Sequence, residues 1–110
     1  MTNIFSNINF REGKLSNTNA VLLLDVPLED QKYNLFEDIL QITYTSKNLK
    51  YVIDIGWYFE DFEISEDSFF WVQIILNEDW SNLIFDKKTN NINELKNLIE
   101  EGVEIICEFV

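Results

Sequence analysis

Carboxylates are the side chains of this sequence best able to do chemistry. Nine of them stand between Tyr51 and Asp86: Asp54, Glu60, Asp61, Glu63, Glu66, Asp67, Glu78, Asp79 and Asp86. No Lys or Arg interrupts them. Acids at this density can bind a hard cation, serve as a general acid and base, or hold negative potential toward a basic partner. The first two uses meet obstacles. The run Asp61-Phe-Glu-Ile-Ser-Glu-Asp67 loosely resembles the start of a calcium loop, but Glu66 stands where the loop needs Gly and Val72 where it needs a bidentate Glu. Glu60 with Glu63 could form a carboxylate pair for glycoside hydrolysis, yet so small a chain leaves little room for a sugar cleft.

Other catalytic equipment is missing from the sequence. It has no His, so the commonest general base is absent. One Cys and no His make a zinc site improbable. The glycines Gly13, Gly56 and Gly102 are scattered, with no phosphate-cradling loop. Arg11 is the sole Arg, which nearly excludes bidentate phosphate recognition. No catalytic residue, cofactor or metal is expected.

The third use, attraction of a basic partner, fits the charge balance. Twenty acidic against eight basic residues give a formal charge of −12. That balance argues against direct binding to nucleic acid or an anionic membrane, both of which need a basic footprint. A surface built for solubility alone normally mixes both signs; a plain solvated face is the competing reading of the acid run. Aromatic residues lie among the acids: Trp57, Tyr58, Phe59, Trp71 and Trp80. Trp57 and Trp71 are expected in the core. Tyr58 shares a face with Asp54 and Glu60, and Trp80 adjoins Glu78 and Asp79, so both can anchor an interface. The expected partner-binding residues are Asp54, Tyr58, Glu60, Asp61, Glu63, Glu66, Asp67, Glu78, Asp79 and Trp80, with negative potential gathered on one side of the molecule.

These residues need strands to position them. Tyr51, Ile53, Ile55, Trp57 and Phe59 alternate with Val52, Asp54, Gly56, Tyr58 and Glu60, the period-two pattern of a half-buried strand. That strand is expected near 50–62, followed by a link at 63–68 and an almost wholly apolar strand at 69–77. Asn77-Glu78-Asp79 reads as a tight turn and 82–86 as a third, shorter strand. Lys87 to Asn91 reads as a polar loop. Upstream, 1–10 suggests a short edge strand, 11–19 a turn-rich link and 20–26 a buried strand ended by Pro27. Leu28, Leu35, Phe36, Ile39 and Leu40 suggest a helix over 29–44, weakest at Gln31 and Lys32. Ile92, Leu95, Leu98 and Ile99 suggest a second helix, capped by Asn91 or Asn93 and ended at Gly102. A closing strand is expected over 103–110. The sum is an α+β fold: a mainly antiparallel sheet of five or six strands with two helices, in a single domain over residues 1–110.

The chain's size also bounds the answer. A domain of 110 residues buries roughly 60–70% of the surface its unfolded chain exposes, enough for one core. Its supply of aromatics and β-branched residues sets it apart from a disordered acidic tail. Cys107, in an apolar run, reads as a buried, inert thiol, and a chain without a disulfide fits the cytoplasm. The N-terminus lacks the pattern of a signal peptide. No segment approaches the roughly 20 apolar residues that span a bilayer.

In size, acidity, α+β pattern and want of catalytic residues, the whole chain resembles the CdiI-type immunity proteins of bacterial contact-dependent growth inhibition. The nearest local features are Ile55-Gly-Trp-Tyr-Phe-Glu-Asp61 and Phe69-Phe-Trp-Val-Gln73. The resemblance implies a cytoplasmic protein, not an enzyme, that binds and neutralises the toxic C-terminal domain of a cognate effector, in many cases a basic nuclease. The alternative is an acidic nucleic-acid mimic or adaptor that acts on a basic host protein.

Overall fold

The alternation that begins at Tyr51 becomes the central strand of the molecule. The computed structural model describes residues 2–17, 19–58 and 68–109. Within them run β1 (Lys14–Leu15), β2 (Leu40–Ser46), β3 (Leu49–Tyr58), β4 (Phe69–Leu76), β5 (Leu83–Thr89) and one helix, α1 (Ile92–Phe109). The strands form one antiparallel sheet in the order β1-β2-β3-β4-β5. Each strand therefore pairs with its neighbour in sequence, and short turns suffice to connect β2 with β3 and β4 with β5. Strand β3 is the longest, and it is paired on both sides.

Register converts the sequence alternation into two faces. Ile42, Ile53, Ile74 and Phe85 lie side by side across four strands on one face. Leu40, Ile55 and Val72 form the next row. Helix α1 covers this face with Leu95, Leu98, Ile99, Val103 and Ile106, all buried with the strand residues in one apolar cluster. Spacings of three and four keep those five on a single stripe of the helix. The Asn91 side chain caps α1 by accepting the Glu94 N–H at 3.0 Å. Trp57 is fully buried at the end of this face, edge-on to Phe70 at 4.5 Å between ring centroids. Its indole N–H has no acceptor among the described residues. That omission costs about 1–3 kcal/mol. Burying a ring of about 150–250 Å² contributes about 4–6 kcal/mol at about 25 cal/mol per Å², so burial wins.

Five sequence expectations need correction. The helix expected over 29–44 is absent. Two single 3-10 turns, Leu28–Asp30 and Lys32–Asn34, and the irregular residues 35–39 precede β2. The gap in the apolar pattern at Gln31 is the cause. Gln31 is 0% exposed because its amide accepts the Leu23 N–H at 2.9 Å and donates to the Leu23 and Val26 carbonyls, each at 2.8 Å. It bonds to the neighbouring loop rather than to a helix. Thr43, Tyr44 and Thr45, β-formers by propensity, then pair with β3. Second, 20–26 forms no strand; the isolated bridge Asn3↔Leu23 is all that remains of it. Third, residues 1–10 hold a 3-10 turn at Ile4–Asn7 in place of an edge strand.

The fourth correction is at the C-terminus, where α1 runs through Gly102 to Phe109 with no closing strand. Val103, Ile105 and Cys107 fit a strand by alternation, but Val103 and Ile106 extend the stripe begun by Leu95 and Ile99. The helical period wins because it keeps that stripe on the sheet. Gly102 is where the helix comes nearest: a Cβ there would touch Ile74 and Ile53 at 3.5 and 3.6 Å. Strand β5 also extends beyond 82–86, through Lys87 and Lys88, which were expected in a loop. The α+β class and the antiparallel sheet stand, with five strands and one α-helix among the described residues. None of their helices is long and apolar enough to cross a membrane.

Candidate binding face

The opposite face of the sheet carries the functional candidates, and α1 does not cover it. Its centre is a polar row in register across four strands: Gln41 beside Asp54, Asp54 beside Gln73, Gln73 beside Asp86. The Gln41 amide donates to Asp54 Oδ1 at 3.3 Å. Asp86 accepts from the Trp71 indole N–H. Asp54 is only 5% exposed. Burial pushes its carboxyl above the ordinary range; the Gln41 hydrogen bond opposes this, and the negative charge of Asp38 adds to it.

A β-bulge lies next to this row. Ile39 N–H bonds to the Ile55 carbonyl at 2.9 Å, and Trp57 N–H bonds to the Phe36 carbonyl at 2.7 Å. Between these two bonds Glu37 and Asp38 leave the ladder and pass over Gly56. Any Cβ on Gly56 would collide with the Glu37 carbonyl oxygen, so this crossing requires glycine. Glu37 and Asp38 thereby come close to Asp54 and Tyr58. The Tyr58 phenol is pushed up by burial first, and then by the charges of Asp54, Asp38 and Glu37.

Beyond Gly56 lies an aromatic cluster. Tyr58 stacks on Phe69 at 5.9 Å and meets Trp71 edge-on at 5.4 Å. Lys88, from β5, lies 4.6 Å from the Trp71 ring centre and 5.0 Å from that of Phe69. At the other end of the face, the β4–β5 turn projects Glu78, Asp79 and Trp80. Asn77 and Glu78 take left-handed backbone angles, φ 52° and 63°, as a tight hairpin turn demands. Trp80 is 55% exposed. It walls a groove of about 330 Å³ with Gln41, Lys50, Val52, Ile75 and Glu78. Another cavity, of about 380 Å³, lies away from this face near Arg11, Tyr44 and Cys107 and contains no nucleophile paired with a base.

The sequence-derived set is thus divided. Asp54 and Tyr58 gather at the bulge, Asp54 being too buried for direct contact. Glu78, Asp79 and Trp80 stand at the far end. Glu78 is paired with Lys50 at 3.1 Å, and Asp79 accepts from Ser81. Glu60, Asp61, Glu63, Glu66 and Asp67, and with them the calcium-loop and glycosidase candidates, lie outside the described residues. Trp57 is core as expected, whereas Trp71 is only partly buried and faces the open side. Cys107 is partly exposed. Among the described residues no group of three or more acids, Cys or His is placed to hold a metal.

Negative charge is not confined to this side. Glu94, Glu100, Glu101, Glu104 and Glu108 are exposed on α1, beyond the other face of the sheet. Lysines from outside the acid stretch, Lys50 and Lys88, stand on the open face. The sequence reading missed Tyr33, Phe36, Glu37 and Asp38, because it placed them in a helix. The signal that could have found them was Gln31, a polar residue where a helix needed an apolar one.

No protein-family model, curated protein sequence or solved structure matches this chain.

Proposed function

We propose that this chain is an immunity protein that binds and neutralises a cognate bacterial toxin domain, a nuclease, in the cytoplasm. The observation that carries the reading is the pairing of a −12 charge with exposed aromatic side chains among carboxylates. A nuclease must present Lys and Arg to its polyanionic substrate. An acidic inhibitor is drawn into that same field and can block substrate entry. Charges on both sides of the molecule contribute to this attraction, because steering depends on the whole field. Association can then approach about 10⁸–10⁹ M⁻¹s⁻¹ at low salt. Desolvated aromatic anchors slow dissociation.

The test uses the C-terminal domain of the protein encoded directly upstream. Purified with this chain, that domain should lose its nuclease activity at one-to-one stoichiometry, and co-expression should restore growth. Undiminished nuclease activity at excess inhibitor would refute the proposal. A panel of unrelated basic nucleases supplies the second arm. Tight binding to several of them would favour the acidic-mimic alternative.

A further inference from the structure

Charge alone does not say where such a partner would sit, since carboxylates surround the sheet. The distribution of exposed aromatics does. The described residues expose five large hydrophobic side chains: Tyr33, Phe36, Leu49, Trp80 and Ile84. Two of these, Tyr33 at 71% and Phe36 at 56% exposure, fall within four residues of chain. Glu29, Asp30, Glu37 and Asp38 flank them, against the single Lys32. None of these four carboxylates has an ion pair or side-chain hydrogen bond among the described residues. The rival sites are already engaged. Glu78 beside Trp80 is paired with Lys50. Ile84 lies on the strand that carries Lys87 and Lys88. The glutamates of α1 have no large exposed apolar residue with them.

The segment is also held rigidly. Buried Gln31 bonds to the 23–26 loop three times, and Leu35 is buried in the core. The N–H groups of Asn34 and Leu35 close tight turns onto the Gln31 and Lys32 carbonyls, at 2.9 and 3.0 Å. The Phe36 carbonyl is fixed by Trp57, and the bulge rests on Gly56. The backbone that carries Tyr33 and Phe36 is therefore fixed before binding, so its ordering adds little to the cost of association. An aromatic ring beside unpaired carboxylates is the combination that receives a guanidinium or ammonium group, by stacking and by charge.

Resting on the immunity reading, we infer that the shoulder formed by residues 33–38 is the docking site for an Arg- or Lys-bearing segment of the toxin domain. Affinity and rate measurements with the upstream-encoded domain test it. Phe36→Ala and Tyr33→Ala should each weaken binding about tenfold or more, mainly through faster dissociation. Both side chains are exposed, so the variants should melt with the wild type. Glu37→Lys with Asp38→Lys should slow association about tenfold at low salt. Glu101→Lys with Glu104→Lys, on α1, should leave dissociation unchanged. If the shoulder variants bind like the wild type while Trp80→Ala or the α1 variant weakens the complex, docking lies elsewhere and the immunity reading survives. If the wild type itself does not bind the domain, the immunity reading fails, and this inference with it.

Discussion

Strand β3 gives its alternate residues two different tasks. Tyr51, Ile53, Ile55 and Trp57 face α1 and are buried among aliphatic neighbours. Val52, Asp54, Gly56 and Tyr58 face the other way, into polar partners, a backbone crossing and an aromatic cluster. The first face follows the ordinary rule of apolar burial. The second breaks it with a buried carboxylate, a glycine mid-strand and two glutamines in register. Such departures are expected where a fold serves something besides its own stability. Under the proposed function, the first face supplies stability and the second recognition.

Substitutions can break or sharpen that contrast. The largest effect should come from Trp57→Ala, which empties a fully buried site. It should cost about 3–5 kcal/mol, read as a lower midpoint in urea unfolding. Next is Gly56→Ala, where the new methyl meets the Glu37 carbonyl. A loss of about 1–3 kcal/mol is expected, and amide exchange should quicken around 36–39. If Gly56→Ala were neutral, the bulge would not depend on glycine. Gly102→Ala should act in the opposite direction. Its methyl has ordinary contact distances, and replacing a mid-helix glycine should add about 0.5–1 kcal/mol.

The subtlest test is Asp54→Asn on the open face. A carboxyl whose folded pKa is raised stabilises the fold fully only below its unfolded value of 3.8. That contribution is lost as pH rises through the folded value. Above that folded value Asp54 is therefore a cost to the fold. Asn keeps an acceptor for Gln41, so the variant should melt higher than wild type at pH 7. The advantage should fade as pH falls toward 3.8. Asp25 behaves oppositely. The Thr2 backbone N–H foremost lowers its pKa, so its contribution is present above 3.8 and lost as pH falls through the folded value.

The two faces differed in how plainly the sequence declared them. The pattern from Tyr51 to Tyr58 announced β3 and its sidedness, because alternation is a local property of the chain. The α+β class followed from it. The N-terminal third was misread because its order is not local. Gln31 is satisfied by loop carbonyls five and eight residues away, and no helical or strand period encodes that. The C-terminal residues satisfied both periods, and only packing against the sheet chose between them. Of the site, Trp80 was legible in its exposure as well as its type, whereas Asp54 was legible as a residue but not in its burial. The crossing at Gly56, which brings the charge of Asp38 near Asp54, is not revealed by spacing. The shoulder at Phe36 stayed hidden for the same reason.

Hydrogen exchange of the full chain, alone and with the upstream-encoded domain of the proposed function, tests the division of labour most directly. The complex should slow exchange at 33–38 and around Tyr58, and leave α1 as it was. New protection on α1, with the open face and its shoulder unchanged, would contradict the account.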